Sequence, residues 1–277
     1  MANSSDLQPR TYLFAPGTRP ECFGKALATG ADCVLLDLED AVAAADKPQA
    51  RDAIARWFAD AAPADRARVA VRINDAALPH FGDDLRALRA YSCTQVVLPK
   101  AEEPWQIAAV ATAILDAQVL ALIESARGVA RADEVAAACG VTRLLFGTLD
   151  FALDLDIDIA DDASGLAHAA GRIAIASRVA GLPAPVAGVT PQLDDSVRLL
   201  ADLAQSRRLG FGAKLCIHPS QVPPIHAALR PSAQALDWAR RVLLADAASP
   251  GAARLDGRMV DRPVVLQAQR TLALARD

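Results

Sequence analysis

Again and again in this chain a short apolar run ends on a residue that can do chemistry. Val34-Leu35-Leu36 runs into Asp37, Glu39 and Asp40, and Val69-Ala70-Val71 ends on Arg72. Val96-Val97-Leu98 meets Pro99-Lys100, and the run 119–123 stops at Glu124. Leu144-Leu145-Phe146 leads through Gly147 to Asp150, and Leu215-Cys216-Ile217 ends on His218. Unbroken apolar runs suit parallel strands buried on both faces, whereas half-exposed strands alternate. A charged residue at one strand exit carries little information. The same at exit after exit predicts a ring of functional groups around one mouth of a barrel.

The organisation of the chain supports that reading. Strands are predicted at 11–15, 33–38, 68–73, 95–98, 119–123, 143–146, 185–189 and 213–217. Helical patterns fall between and after them, at 20–28, 48–59, 81–89, 103–115, 129–138, 165–180, 195–209 and 221–229. Pro20, Pro48 and Pro104 suit first-turn positions. Alternating strands and helices make parallel βαβ units, and roughly eight such units favour closure over an open sheet. The fold class is therefore α/β, a (β/α)₈ TIM barrel over residues 10–230. Pro183, Pro185 and Gly188 crowd the seventh strand. Residues 231–277 form a C-terminal helical extension and lid, with helices at 232–245 and 263–276 and a small-residue hinge at 246–257. Such a tail caps a neighbouring subunit or covers an active site; a plain packing appendage is the alternative.

Composition narrows the function classes. Hydrophobic residues make up 53% of the 277 positions, enough for a large core, but aromatics only 4%, so Ala, Val and Leu must fill it. Few aromatics, a net charge of −4 and no basic block argue against a nucleic-acid partner. No apolar stretch reaches the roughly 18 residues of a membrane span, and the polar residues 1–8 lack a secretory pattern. The five cysteines (Cys22, Cys33, Cys93, Cys139 and Cys216) are scattered, without a CxxC pair. They read as reduced thiols of a cytoplasmic protein, not as a disulfide or zinc framework.

Glu124 and Asp150 stand after successive strands, where their carboxylates can converge. Two carboxylates and several waters suit Mg²⁺, a hard ion that takes its remaining ligands from water and substrate. Helix capping or pairing with an arginine is the alternative for each acid. Asp37, Glu39 and Asp40 form a dense acidic group whose mutual repulsion needs an offsetting cation or donors. They can hold metal-bound waters, or sit in a solvated loop. Arg72 in Val-Arg-Ile-Asn can grip a substrate carboxylate with two parallel hydrogen bonds, or bridge to that acidic group. Pro16-Gly17-Thr18-Arg19 offers backbone N–H groups to an anion. Lys25 and Lys47 follow the first two strands, within reach of a phosphate. Lys100 and Lys214 raise a metal-free Schiff-base alternative. His218 can act as acid or base, or fix its loop.

As an ordered set, several of these segments resemble a known family. They are Tyr-Leu-Phe-Ala-Pro-Gly-Thr-Arg-Pro, Leu-Leu-Asp-Leu-Glu-Asp-Ala-Val, Val-Arg-Ile-Asn, Leu-Pro-Lys, Ile-Glu-Ser-Ala-Arg-Gly-Val, Phe-Gly-Thr-Leu-Asp and Ile-His-Pro-Ser-Gln-Val. Over residues 10–270 the chain resembles the citrate lyase β-subunit-like branch of the HpcH/HpaI aldolase superfamily. The resemblance implies a Mg²⁺ barrel, trimeric or a dimer of trimers, in which Glu124 and Asp150 hold the metal. It implies that Arg72 and Glu124 bind substrate and that Lys25 and Lys47 contact the CoA moiety. Gly257-Arg258-Met259-Val260-Asp261-Arg262-Pro263 matches the family's lid motif, which implies an acid/base role for Asp261 in a neighbouring subunit's site. The chain departs from its relatives at Val186-Ala187-Gly188, where an acidic residue is frequent, and at Ala213-Lys214, where Gly-Lys is.

The resulting expectation is a Mg²⁺-dependent carbon–carbon lyase. Its substrate would be a carboxylate-bearing 3-hydroxyacyl thioester of the citryl-, malyl- or citramalyl-CoA type. Two alternatives stand beside it: a free 2-oxo-acid aldolase, and a citrate lyase subunit active only with an acyl carrier protein.

Overall fold

The computed structural model describes residues 8–160, 162–249, 251 and 253–275. Its strands are β1 (Thr11–Pro16), β2 (Cys33–Asp37), β3 (Val69–Arg72), β4 (Gln95–Leu98), β5 (Gln118–Ile123), β6 (Val141–Phe146), β7 (Val186–Ala187) and β8 (Ala213–Cys216). They lie side by side in sequence order, all parallel, and β8 pairs back onto β1 to close the barrel. The expected TIM-barrel fold is therefore present. Its helices are α1 (Phe23–Ala28), α2 (Lys47–Asp60), α3 (Pro63–Arg66), α4 (His80–Ala90), α5 (Pro104–Ala113), α6 (Ala126–Ala130), α7 (Ala132–Ala136), α8 (Thr148–Asp154), α9 (Ala167–Val179), α10 (Ser196–Arg208) and α11 (Val222–Leu229).

Period-two geometry sends alternate strand residues to opposite faces. Tyr12, Leu35, Ala70, Val97, Leu120, Leu122, Leu145, Val186 and Leu215 meet in one buried cluster that fills the barrel. The intervening residues, such as Val34, Leu36 and Val96, are equally buried beneath the helices. Both faces being dry explains why the strands read as continuous apolar runs. β4 falls on its predicted range, six further strands need only end corrections, and β7 shrinks to two residues. Pro183 and Pro185 remove backbone donors just before it, and after it a Cβ on Gly188 would meet Thr148 Oγ1 at 2.3 Å.

Arg143 plugs the N-terminal end of the barrel. Its guanidinium donates to Pro9 O (2.6 Å), Tyr12 Oη (3.0 Å) and Ala184 O (2.8 Å), so a buried cation is met by neutral acceptors.

The chain divides into two compact units, with residues 8–225 in one and residues from 226 onward in the other. In the second, α12 (Ala233–Ala248) and α13 (Arg262–Ala273) flank a hairpin of β9 (Ala253–Leu255) and β10 (Arg258–Val260). Ala239, Val242, Val260 and Ala268 form its buried core. The hairpin corrects the expected hinge at 246–257. Leu255 pairs with Arg258, and Asp256 and Gly257 both take positive φ (50° and 76°), the two-residue Asp-Gly turn that matches strand twist. Residue 276, at the end of the expected last helix, lies outside the described residues, as do residues 1–7 of the polar N-terminal stretch.

Candidate active site

The register of β2 against β3 sets Asp37 directly beside Arg72, both at strand ends. Arg72 Nε and Nη2 donate to Asp37 Oδ1 and Oδ2 at 2.7 and 2.6 Å, a fork-to-fork pair. Nη1 donates to Asp40 Oδ2 at 3.3 Å and lies 2.9 Å from Glu39 Oε2. That last contact is an ion pair whose geometry provides no hydrogen bond, so buried Glu39 Oε2 has no donor. The guanidinium carbon sits 4.8 Å from the centre of the Phe14 ring. Burial pulls the Arg72 pKa down, but Asp37, then Glu39 and Asp40, outweigh it and leave it above its ordinary value. Bridging to the acidic group, an alternative for Arg72 in the sequence, is thus what the structure shows.

Asp37 also organises the loop behind it. Its two oxygens accept from Glu39 N (2.9 Å) and Ala41 N (3.0 Å). Lys47 lies in this framework. It is buried, and its ammonium donates to Leu38 O (2.8 Å) and Glu39 O (3.0 Å), joined at Leu38 O by Asn74 Nδ2 (3.0 Å). Its donors thus hold the Glu39 loop in place, a task different from the phosphate contact that the resemblance implies. Lys25 is exposed on α1, as a solvent-facing phosphate contact requires.

Glu124 follows β5 directly and is almost fully buried. Its Oε1 accepts from the backbone N–H of Lys100 at 2.8 Å. Lys100 takes a positive φ of 46°, an uncommon conformation for a side-chain-bearing residue. The role of Lys100 is therefore carried by its amide, while its ammonium points toward Asp75 at 4.0 Å. A Cβ on Gly147 would fall 2.4 Å from Glu124 Oε2, so only glycine lets the carboxylate lie across the end of β6. Asp150 is not at the strand exit itself but in the first turn of α8, four residues beyond the end of β6.

Glu124, Asp150, Arg72, Asp37 and Asp40 line one cavity of about 420 Å³ at the C-terminal ends of the strands, with Phe14, Leu122 and Leu215 as its apolar floor. Its wall holds four carboxylates against a single guanidinium. Burial first, then the charges of Glu39 and Asp150, pushes the Glu124 carboxyl up to about 8. Burial, followed by Asp40 and Asp37, pushes Glu39 up to about 7 against the pull of Arg72. A bound cation would relieve two strains on this cavity: the excess negative charge and the undercompensated Glu124. The donor set is all oxygen, which suits a hard divalent ion. Among the described residues no group of three or more His, Cys, Asp or Glu converges as a ready-made metal cage. Glu124 and Asp150 alone would leave most positions to water or substrate, the pattern of a catalytic hard-metal site.

Other candidates fall elsewhere. His218 caps the short 3₁₀ turn Pro219–Gln221, its Nδ1 2.7 Å from Ser220 Oγ, so it fixes its loop. Lys214 faces away from the barrel interior, with Nζ donating to Gly188 O at 2.6 Å. Gly17 N donates to Asp37 O at 2.8 Å, so that amide is already spent on β2. Asp261 belongs to the second unit, where it caps α13 by accepting from Val264 N at 3.2 Å. The roles of Gly147, Phe14 and Asn74 depend on tertiary neighbours; the sequence shows Gly147 only as a glycine between an apolar run and Asp150, and Phe14 and Asn74 only as members of family-like segments.

Comparison with known proteins is consistent with this geometry. The HpcH/HpaI aldolase/citrate lyase family model matches residues 10–219. The chain belongs to that family. Among this family's curated members, a citrate lyase subunit beta-like protein of Mycobacterium tuberculosis is 38% identical over 269 residues, 95% of this chain and 94% of the relative. A (3S)-malyl-CoA thioesterase of Cereibacter sphaeroides is 32% identical, covering 96% and 94%. The crystal structure of protein CitE from M. tuberculosis in complex with magnesium, acetoacetate and coenzyme A superposes with a TM-score of 0.87. It is 37% identical, with 98% of this chain and 99% of that one covered.

Proposed function

We propose that this protein is a Mg²⁺-dependent carbon–carbon lyase acting on a carboxylate-bearing 3-hydroxyacyl-CoA of the malyl, citramalyl or citryl type. The observation that carries the proposal is the carboxylate-rich cavity at the C-terminal face, with one guanidinium and a buried, undercompensated Glu124. The magnesium and coenzyme A in the M. tuberculosis structure and the malyl-CoA name of the C. sphaeroides relative support the metal and the thioester.

Glu124 and Asp150 would hold the ion. When bound, Mg²⁺ supplies Lewis-acid polarisation and a template for substrate oxygens. Arg72 would orient the substrate carboxylate by the N–H groups left on its terminal nitrogens, since Asp37 takes Nε and one N–H of Nη2, and Asp40 one N–H of Nη1. The acidic frame of Asp37, Glu39 and Asp40 would fix Arg72 and bound water. Loss of the 3-hydroxyl proton to a base lets the carbonyl of a 2-oxo acid form as the C2–C3 bond breaks. The bonding electrons pass to the thioester α-carbon, and Asp261 of a neighbouring subunit would deliver the proton there. That assigns the protein to a homo-oligomer, trimer or hexamer, with the site completed by the C-terminal lid. Among the described residues no helix is long and apolar enough to cross a membrane, and we assign the protein to the cytoplasm.

The test is an assay of purified protein with malyl-, citramalyl- and citryl-CoA, following the 2-oxo acid and free CoA separately. Mg²⁺-dependent release of a 2-oxo acid, lost in Glu124→Ala and Asp150→Ala, is expected. Full activity of either variant after metal stripping overturns the assignment. Pyruvate release from free hydroxy-oxo acids without a thioester points instead to the aldolase reading. Activity only with an acyl carrier protein points to the lyase-subunit reading.

A further inference from the structure

A second cavity, of about 370 Å³, lies outside the barrel between its strands and helices. Phe146, Ala187 and Lys214 contribute to it from β6, β7 and β8. Their strand neighbours Leu145, Val186 and Ala213 face the barrel interior, so these three face outward. Leu166 and Ala170 close it from the α9 side, and Arg198 and Asp202 of α10 from the other. Leu149, Pro191 and Gln192 are exposed along its rim, so it opens to solvent.

Its wall is mainly apolar, with Arg198, Asp202, Asp158, Gln205 and Ser206 as polar members beside Lys214. The rings of Phe146 and Phe211 lie 6.4 Å apart, both against the cavity. Lys214, with 1% of its surface exposed, is the one buried cation in this wall. Its ammonium carries three N–H donors and has a single acceptor among the described residues, Gly188 O. Asp202 does not relieve it by hydrogen bonding. One of its oxygens accepts from Arg198 Nε (2.7 Å) and the other from Thr190 Oγ1 (2.7 Å). Asp158, also on the wall, is exposed and accepts from Ala160 N. A buried ammonium with unspent donors is costly unless an anion meets it. A mainly apolar chamber in which one buried ammonium keeps unspent donors, while Asp202 is paired with Arg198 and Thr190, suits a ligand with a single anionic end and an apolar body.

We propose that this cavity binds a small monocarboxylate with an aryl or alkyl body, its carboxylate on Lys214 and its body against Phe146, Phe211 and Leu166. The site is separate from the lyase cavity but shares a wall with it. Thr148, Leu149 and Val189 line both, and Thr148 and Leu149 directly precede Asp150 in α8. An occupant therefore presses on the turn that carries a proposed metal ligand, which makes the site a place for small-molecule control of the barrel mouth.

The experiment is calorimetric titration of the full-length protein at neutral pH with 3-phenylpropanoate and with its neutral amide, 3-phenylpropanamide. The acid should bind about tenfold or more tightly than the amide, as a charge-assisted hydrogen bond demands. Lys214→Met should erase that preference, while Glu124→Gln, which alters only the other cavity, should keep it. A photoreactive aryl carboxylate should label the peptides carrying Phe146 or Phe211. Equal binding of acid and amide, no binding of either, an acid preference retained in Lys214→Met, or labelling confined to the Phe14 and Arg72 segments each overturns the proposal. The comparison of the two ligands on unaltered protein and the labelling decide the matter even if Lys214→Met fails to fold. Because every readout is binding, failure here leaves the lyase reading untouched, and failure of lyase turnover leaves this site untouched.

Discussion

The barrel buries an arginine at each end, and the two are satisfied in opposite ways. At the N-terminal end Arg143 meets two backbone carbonyls and a tyrosine hydroxyl. Every partner is neutral, and the group is closed. At the C-terminal end Arg72 meets Asp37, Glu39 and Asp40, with Glu124 and Asp150 on the same cavity. There negative charge exceeds positive, and an oxygen of Glu39 has no donor. The first arrangement can only stabilise. The second sacrifices stability to keep a place for charge that arrives with a ligand.

The sharpest way to break this comparison is Glu124→Gln. The amide keeps an acceptor for the Lys100 N–H but removes a buried carboxylate that burial holds near 8. Turnover on the CoA substrate should fall about a thousandfold, the scale of several kcal/mol of lost metal-assisted stabilisation. The metal-free protein should melt at a higher temperature than the unaltered one. Unchanged turnover, or a lower melting temperature, would show that the upper end is built for stability after all.

Arg72→Met should damage both properties at once. It strands Asp37 and Glu39 as buried acids without their cation, a loss of about 3–5 kcal/mol, and removes the proposed carboxylate clamp. Urea unfolding and steady-state kinetics on the same preparation check this, and a purely kinetic defect would refute it. At the other end, Arg143→Met leaves Pro9 O, Ala184 O and Tyr12 Oη without their donor. A loss of about 3 kcal/mol is expected, with kcat per folded molecule unchanged well below the melting temperature. A kcat that falls while stability holds would mean that the two ends are coupled.

How much of this was legible depends on the range of the interaction. The barrel was readable because dry strands need unbroken apolar runs, and β2, β5 and β8 carry them. Glu124 and Arg72 were readable because the strand exit places them. Asp150 was found by its neighbourhood, but its place in α8 was not, since where β6 gives way to helix at Gly147 depends on Glu124 lying across the strand end. Lys47 reads as a lysine within reach of a phosphate because nothing local shows that Leu38 O and Glu39 O turn toward it. The hairpin of β9 and β10 carried a local signal, Asp256-Gly257, that was masked by the small residues around it.

Lys214 supplies the smallest expected effect, and it separates burial from function in a third environment. Burial pulls its pKa from 10.5 down to about 8. Between those values the unfolded chain holds a proton that the folded one has released, so stability rises as pH climbs from about 8 toward 10.5. Below 8 both states are protonated, and the burial penalty is present in full. The buried thiols of Cys33, Cys93 and Cys216 act in the opposite direction. Burial pushes each up to about 12, so the unfolded chain loses those protons first and stability falls above about 9. A single curve therefore mixes the two effects, and the difference between the unaltered protein and Lys214→Met isolates the lysine. Lys214→Met should be the more stable of the two at pH 7, by roughly 2–3 kcal/mol, and the gap should close as pH approaches 10. Urea unfolding at half-unit pH intervals measures it. A gap that stays constant with pH would mean that Lys214 keeps its proton throughout, matched by a partner that the neutral carbonyl of Gly188 does not provide.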